Sequence, residues 1–117
     1  MPRRNLVSPT RDLRDFWEWY GLALQEGWTD GLPVCPPTVD RVGAIVEYLG
    51  RDSQEIIGII DPQKGVATVE QVAINCVMAG CTPPMVPVVI ASIQAMLEPE
   101  FNLHGVQCTT NPCAPLI

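Results

Sequence analysis

The sequence predicts an α/β or α+β domain in which about four helices pack on a small sheet. Hydrophobic residues make up 47% of the 117 residues and charged residues 17%. This composition supplies a core and excludes a mainly disordered chain. Apolar residues recur at helical spacing in four segments, and Ile56–Ile60 is a β-branched run that favours a buried strand.

The first two helices are predicted from apolar spacing and from the residues that end them. We expect residues 1–9 to form a flexible arm and residues 10–117 to form one domain, or the N-terminal part or a subunit of a larger one. A helix over residues 10–26 should end at Gly27. Its expected buried stripe comprises Leu13, Phe16, Trp17, Tyr20 and Leu24. After a proline-rich loop, Thr38 can cap a second helix that Gly50 ends.

The second half of the chain begins with a capping-box pattern, Thr68 and Gln71, which predicts a third helix ending at Gly80. A fourth helix is expected over residues 84–97, and a strand over residues 105–109. The apolar residues 114–117 look like the start of another strand. We therefore expect the sheet to be completed by a second subunit or by a missing C-terminal segment.

Charge and cysteine content narrow the classes of partner. The formal net charge of −6 repels nucleic-acid phosphates. No apolar run reaches the length of a membrane span, and the N-terminus has no signal-peptide pattern. Five cysteines without an export signal suggest the reducing cytoplasm, and an odd count fits poorly with a closed disulfide framework.

Three segments carry a resemblance to a known family: WTDGLPVCPPTVDRV (28–42), ATVEQVAINCVMAGCTPPMVPVV (67–89) and EFNLHGVQCTTNPCAPLI (100–117). Together they resemble a group of bacterial proteins associated with UGSC-motif selenoproteins and thiol proteins. Members of that group continue with a glycine-rich segment beyond the position matching Ile117. The resemblance therefore implies that this chain is an N-terminal portion or one subunit of a split protein.

The same resemblance points to particular side chains. The residues that match motif positions are Asp30, Gly31, Asn75, Cys81, His104, Gln107, Thr109 and Thr110. Cys108 and Cys113 fall where the family has alanine or another small residue. The resemblance implies that these two cysteines are peculiar to this protein and belong to a modified site.

Cys81 is the strongest candidate for chemistry. It lies between the end of one predicted helix and the start of the next, where backbone N–H groups favour a thiolate. A thiolate is both a nucleophile and a metal ligand. The alternative is a small apolar residue that fills a tight turn. Cys76, on the apolar stripe of the third helix, is predicted to be a buried, inert thiol.

A second cluster offers His and Cys ligands for a thiophilic metal ion. The spacing of His104, Cys108 and Cys113 does not match a zinc finger or ribbon, so a metal site is expected only if the fold brings Cys81 to Cys108 and Cys113. The alternative for His104 is a loop-capping hydrogen bond.

The functional hypothesis is a cytoplasmic enzyme, or a subunit or N-terminal part of one, that uses the Cys81 thiolate on a small molecule. The reaction class, whether redox, lyase or hydrolytic, stays open. His104, Thr109 and Thr110 would orient the substrate together with Asn75 and Gln107. Asp30 would transfer a proton. One alternative is a non-catalytic interaction subunit of a hetero-oligomer, and another is a thiol-based metal-binding protein.

Overall fold

The computed structural model describes residues 5–114, and over that range the chain is an α+β domain of five α-helices and a two-stranded antiparallel sheet. The elements in chain order are α1 (Phe16–Gln25), α2 (Val39–Leu49), β1 (Ile56–Ile60), β2 (Gly65–Thr68), α3 (Val69–Met78), α4 (Val86–Leu97) and α5 (Leu103–Cys108). Single 3-10 turns at Pro83–Met85 and Pro99–Phe101 precede α4 and α5. The predicted fold class is confirmed.

Helix α1 starts later than the predicted residue 10 and buries a different face. Asp15 is its N-cap and accepts a hydrogen bond from the backbone N–H of Glu18 at 2.9 Å. Trp19 and Ala23 are the buried residues, whereas Trp17 is 75% exposed. The sequence pattern is misleading here because aromatic residues lie close together along the helix, so apolar spacing alone does not distinguish a face that contains Trp17 from one that contains Trp19. The indole N–H of Trp19 donates to the carbonyl of Val34 at 2.9 Å and selects the buried face.

The predicted strand at Ile56–Ile60 is confirmed as β1, with β2 as its hairpin partner. Ile59 pairs with Val66 and Ile60 with Gly65. The sequence analysis missed β2, because the strand is only four residues long and runs directly into α3. Thr68 ends the strand and, together with Gln71, forms the predicted capping box.

The predicted strand over residues 105–109 is wrong, because the chain forms α5 there. Asn102 adopts a left-handed conformation with φ 52°, and its side chain accepts from the backbone N–H of Gly105 at 3.2 Å. This cap starts a short helix that buries Leu103. Of the predicted apolar strand start at residues 114–117, only Ala114 lies within the described residues.

The core is formed by α2, β2, α3 and α4. Its buried residues are Val42, Ile45, Val46, Ala67, Val69, Val72, Ala73, Cys76, Val77, Val86 and Ile90. Gly58 of β1 lies close against the side chain of Leu97 in α4, which positions the sheet beside that helix.

The buried carboxylate of Glu70 fixes the N-terminal end of α3. It accepts hydrogen bonds from the backbone N–H groups of Val7, at 3.0 Å, and Ser8, at 2.9 Å, and from the side chain of Gln54. Burial by itself would raise the pKa of Glu70, but these hydrogen bonds outweigh it and hold the pKa below the ordinary value. Residues 5–8, part of the expected flexible arm, thus lie against the domain.

Within residues 5–114, no helix is both long enough and apolar enough to cross a membrane.

Candidate functional site

An open groove of about 720 Å³ runs between the hairpin and helices α3 and α4. Its lining residues are Ile60, Gly65, Val66, Ala67, Gln71, Val72, Asn75, Cys76, Ala79, Cys81, Val89 and Ile93. Ligand sites of comparable size are concave and mostly apolar, with a few placed polar groups. The groove has this composition, because its polar side chains are confined to α3 and the turn that follows it.

The polar side of the groove contains two of the predicted site residues, Asn75 and Cys81. The amide nitrogen of Asn75 donates to the carbonyl of Gln71, one turn earlier in α3, at 2.8 Å. This bond uses one N–H and leaves the amide oxygen as the acceptor that Asn75 can offer to a ligand. Cys81 is half-buried and follows α3 directly.

A Schellman motif at the C-terminal end of α3 places Cys81 beside Cys76. Gly80 has φ 82°, a left-handed conformation that glycine adopts without steric cost. The N–H of Cys81 donates to the carbonyl of Cys76 at 2.8 Å, and the N–H of Gly80 donates to that of Val77 at 2.9 Å. These are the two hydrogen bonds of the motif, in which the side chains at the positions of Cys76 and Cys81 frequently contact each other.

The two thiols are in contact but in different environments. Cys76 is 5% exposed, and burial raises the pKa of its thiol to about 11. The neighbouring Cys81 thiol raises the pKa of Cys76 further. The Cys76 thiol therefore stays protonated at neutral pH, next to a sulfur that is more accessible from the groove.

The other predicted site residues do not line this groove. Asp30 is exposed in the loop between α1 and α2. His104, in the first turn of α5, lines a separate cavity of about 160 Å³. Gln107, Thr109 and Thr110 lie in α5 and just after it, with Gln107 and Thr110 exposed. The structure thus places Asn75 and Cys81 in the lining of one groove and leaves the other predicted site residues elsewhere on the domain.

The predicted metal site is not assembled. Among residues 5–114, no group of three or more His, Cys, Asp or Glu side chains is placed to hold a metal ion. Cys108 and Cys113 are both exposed, at the end of α5 and beyond it, whereas Cys81 lies in the groove. Cys81, Cys108 and Cys113 therefore do not form such a group among residues 5–114.

Sequence reasoning named Gln71 as a capping residue and Cys76 as an inert thiol, but missed that both line the groove. Cys76 is buried, as predicted, but it also lines the groove and contacts Cys81. The sequence does contain a sign of this arrangement, because a glycine just after a helix favours a Schellman motif. With Gly80 in that role, Cys81 folds back onto Cys76.

The region that forms most of the groove is almost free of charge. Between Gly65 and Leu97, Glu70 is the single Asp, Glu, Lys or Arg, and it is 1% exposed. Several apolar side chains in the same span face solvent, including Val66, Met85 and Val88, the last being 66% exposed. An uncharged surface with exposed apolar side chains is typical of a binding face.

Comparison with protein-family models, with curated proteins and with solved structures finds no match to this chain. The resemblance to the UGSC-associated group therefore stays a prediction.

Proposed function

We propose that this chain is the ligand-binding, thiol-bearing part of a cytoplasmic enzyme. In this proposal the groove binds a small, largely apolar molecule, and the sulfur of Cys81 reacts with it. The observation that carries the proposal is an apolar groove of about 720 Å³ with a half-buried cysteine in its polar wall. Because Asp30, the predicted proton-transfer residue, lies outside the groove, a second subunit or a further segment would supply that function.

The chemistry of the groove lining supports a mainly apolar ligand with one polar end. Ile60, Val89 and Ile93 offer apolar contact along the sheet and α4. On the opposite side, Asn75 can accept or donate a hydrogen bond in the same groove that Cys81 lines. A ligand oriented in this way would place its polar, reactive end at the sulfur.

The difference between the two groove thiols supports Cys81 as the reacting group. The nucleophilic form of cysteine is the thiolate. Cys76 is buried, and its raised pKa keeps it protonated at neutral pH. Cys81 is more exposed, and a ligand in the groove can reach it without opening the core.

The test uses a neutral apolar fluorophore, N-phenyl-1-naphthylamine, with the 117-residue chain. Val66 lines the groove and is 47% exposed, so Val66→Glu should weaken fluorophore binding at least about tenfold by placing a charge at an apolar contact. Val39, in the first turn of α2, is 50% exposed and outside the groove, so Val39→Glu is the matched control and should bind normally.

The reactivity of Cys81 is tested in a Cys108→Ser/Cys113→Ser background, which removes the two exposed thiols. Bound fluorophore should protect Cys81 from alkylation by iodoacetamide, as measured by peptide mapping. The proposal would be contradicted if the two Glu variants bound the fluorophore equally, or if bound fluorophore left the rate of Cys81 alkylation unchanged.

A second candidate function, self-association, is favoured by the uncharged span from Gly65 to Leu97. Two copies of a chain with net charge −6 repel one another on most faces. The exposed side of α4, which includes Val88, carries no charged residue, so it can contact a second copy without bringing like charges together. We infer a homodimer through this face, and sedimentation velocity over a range of concentrations tests it. The wild type should dimerise and Val88→Glu should stay monomeric, whereas a monomer at every concentration rules out this candidate.

A further inference from the structure

We propose that Cys81 and Cys76 are an attacking and a resolving thiol, and that together they reduce a small disulfide bound in the groove. This inference rests on the proposed function of the groove and gives it a reaction class, thiol–disulfide exchange. The product on the protein would be an intramolecular disulfide between the two cysteines. Both thiols are free in this structure, which corresponds to the reduced state.

The backbone geometry allows the two sulfurs to join. The Schellman motif holds the backbone nitrogen of Cys81 2.8 Å from the carbonyl oxygen of Cys76. The side chains at these two positions of the motif frequently contact each other, and the neighbouring Cys81 thiol is one of the causes that raise the pKa of Cys76. A disulfide requires two Cα atoms within roughly 7 Å and Cβ atoms that face one another. The turn provides this proximity because Gly80 adopts a left-handed conformation that reverses the chain direction.

The location of the pair also suits the reaction. Both cysteines line the groove, so a disulfide bound there reaches Cys81 while Cys76 waits behind it. A lone exposed cysteine would stop at a mixed disulfide with its substrate. A second thiol in contact with the first can complete the exchange, because its effective concentration at the mixed disulfide is high.

The exchange balances in two steps. First, the Cys81 thiolate attacks one sulfur of the substrate disulfide, forms a mixed disulfide and releases one substrate thiolate, which takes a proton from water. Second, the Cys76 thiol loses its proton to solvent and attacks the Cys81 sulfur, which releases the second substrate thiolate. The two cysteines are oxidised by two electrons, and the substrate disulfide is reduced to two thiols.

The environment of Cys76 fits the resolving role. Its pKa of about 11 makes it a poor first nucleophile. Because Cys76 is 5% exposed and lies beside Cys81, the disulfide sulfur within its reach is that of Cys81 in the mixed disulfide.

The experiment uses 2,2′-dithiodipyridine, a neutral aromatic disulfide that releases a coloured thiopyridone at each exchange. The 117-residue Cys108→Ser/Cys113→Ser chain is the parent, and peptide mapping assigns every modified cysteine, Cys35 included. The parent should release two thiopyridones for each Cys76–Cys81 link that forms. In the same background, Cys76→Ala should release one and accumulate a mixed disulfide at Cys81, and Cys81→Ala should leave Cys76 unmodified.

Each outcome is decisive. Accumulation of the mixed disulfide on Cys81 in the parent, or modification of Cys76 in the Cys81→Ala variant, overturns the inference. Circular dichroism checks that both alanine variants fold, and Cys76→Val provides a second variant of the resolving position. If N-phenyl-1-naphthylamine still binds the groove while no Cys76–Cys81 link forms, only the inference fails. If the fluorophore does not bind there, the proposed function fails first.

Discussion

Two segments of this chain place cysteines five positions apart at the end of a helix, Cys76 with Cys81 after α3 and Cys108 with Cys113 after α5. In the first segment Cys76 is the third residue from the helix end, and left-handed Gly80 turns the chain back on itself. The N–H of Cys81 consequently returns to the carbonyl of Cys76 at 2.8 Å.

The second segment has the same spacing and a different path. Cys108 is the last residue of α5, and Thr109 leaves the helix in an extended conformation with ψ 149°. The N–H of Cys113 donates to the nearby carbonyl of Asn111 at 2.8 Å instead of returning to the helix. Both thiols are exposed. The comparison shows that sequence spacing alone does not bring two cysteines together. Their proximity depends on where the first cysteine lies in its helix and on the conformation of the turn between the two.

The largest expected effect is a loss of stability when the buried carboxylate of Glu70, which anchors α3, is removed. This carboxylate distinguishes α3 from α5, the helix of the second cysteine segment. Glu70→Gln should lower the free energy of unfolding by about 2–3 kcal/mol, because a buried acceptor of charge-assisted hydrogen bonds is lost. Urea denaturation at neutral pH measures this. Glu55→Gln is the control, since Glu55 forms an exposed ion pair with Arg51 and should matter little.

The pH dependence of the same carboxylate has a definite sign. The folded-state pKa of Glu70 lies below its ordinary value of 4.5. Its ionised form therefore stabilises the fold above about pH 4.5, and this stabilisation is lost as the pH falls through the lower folded-state pKa. The wild type should lose stability in that acidic range, and Glu70→Gln should lose less. Equal acid sensitivity of the two chains would contradict the role given to Glu70.

The next effect tests the turn that separates the two cysteine segments. Gly80→Ala places a Cβ at φ 82° and should cost about 1–2 kcal/mol of stability. The same change should slow closure of the Cys76–Cys81 pair. Gly21→Ala is the matched control, because Gly21 lies inside α1 with open space around it. It should stabilise the chain by about 0.5–1 kcal/mol.

Cys76 is buried and Cys108 is exposed, so replacing each by alanine should change the free energy of unfolding by different amounts. Cys76→Ala should cost about 1–2 kcal/mol, because it removes a buried sulfur from the core. Cys108→Ala should stay within about 0.5 kcal/mol of wild type, since Cys108 is exposed. Thermal or urea denaturation compares them, and similar costs would show that the two cysteines lie in similar environments.

The smallest expected effect is at alkaline pH. Because the pKa of Cys76 is raised from 9.0 to about 11, the protonated thiol stabilises the fold fully below about pH 9. This contribution is lost as the pH rises towards 11. The difference in stability between wild type and Cys76→Ala should narrow over that range. A constant difference would indicate that the Cys76 thiol is not buried.

Local patterns were sufficient for much of the fold. The strand at Ile56–Ile60 and the caps at Thr38 and Thr68 depend on neighbours in sequence, and the structure contains all of them. The buried face of α1 was missed because a long-range hydrogen bond from Trp19 selects it. The strand over residues 105–109 was wrong because the capping role of Asn102 was overlooked.

The candidate site was predictable only in part, for a physical reason. Asn75 and Cys81 were named from sequence, and both line the groove. The groove itself depends on how α4 packs beside the hairpin, which no local pattern gives. The contact between Cys76 and Cys81 was within reach of sequence reasoning, since Gly80 favours the motif that creates it.

The most direct measurement is a redox titration of the wild-type chain against reduced and oxidised glutathione, with each disulfide quantified by peptide mapping. The Cys76–Cys81 link should survive at least about tenfold more reduced glutathione than any Cys108–Cys113 link, because its thiols are already held together. Equal resistance of the two pairs, or a more resistant Cys108–Cys113 link, would contradict the account.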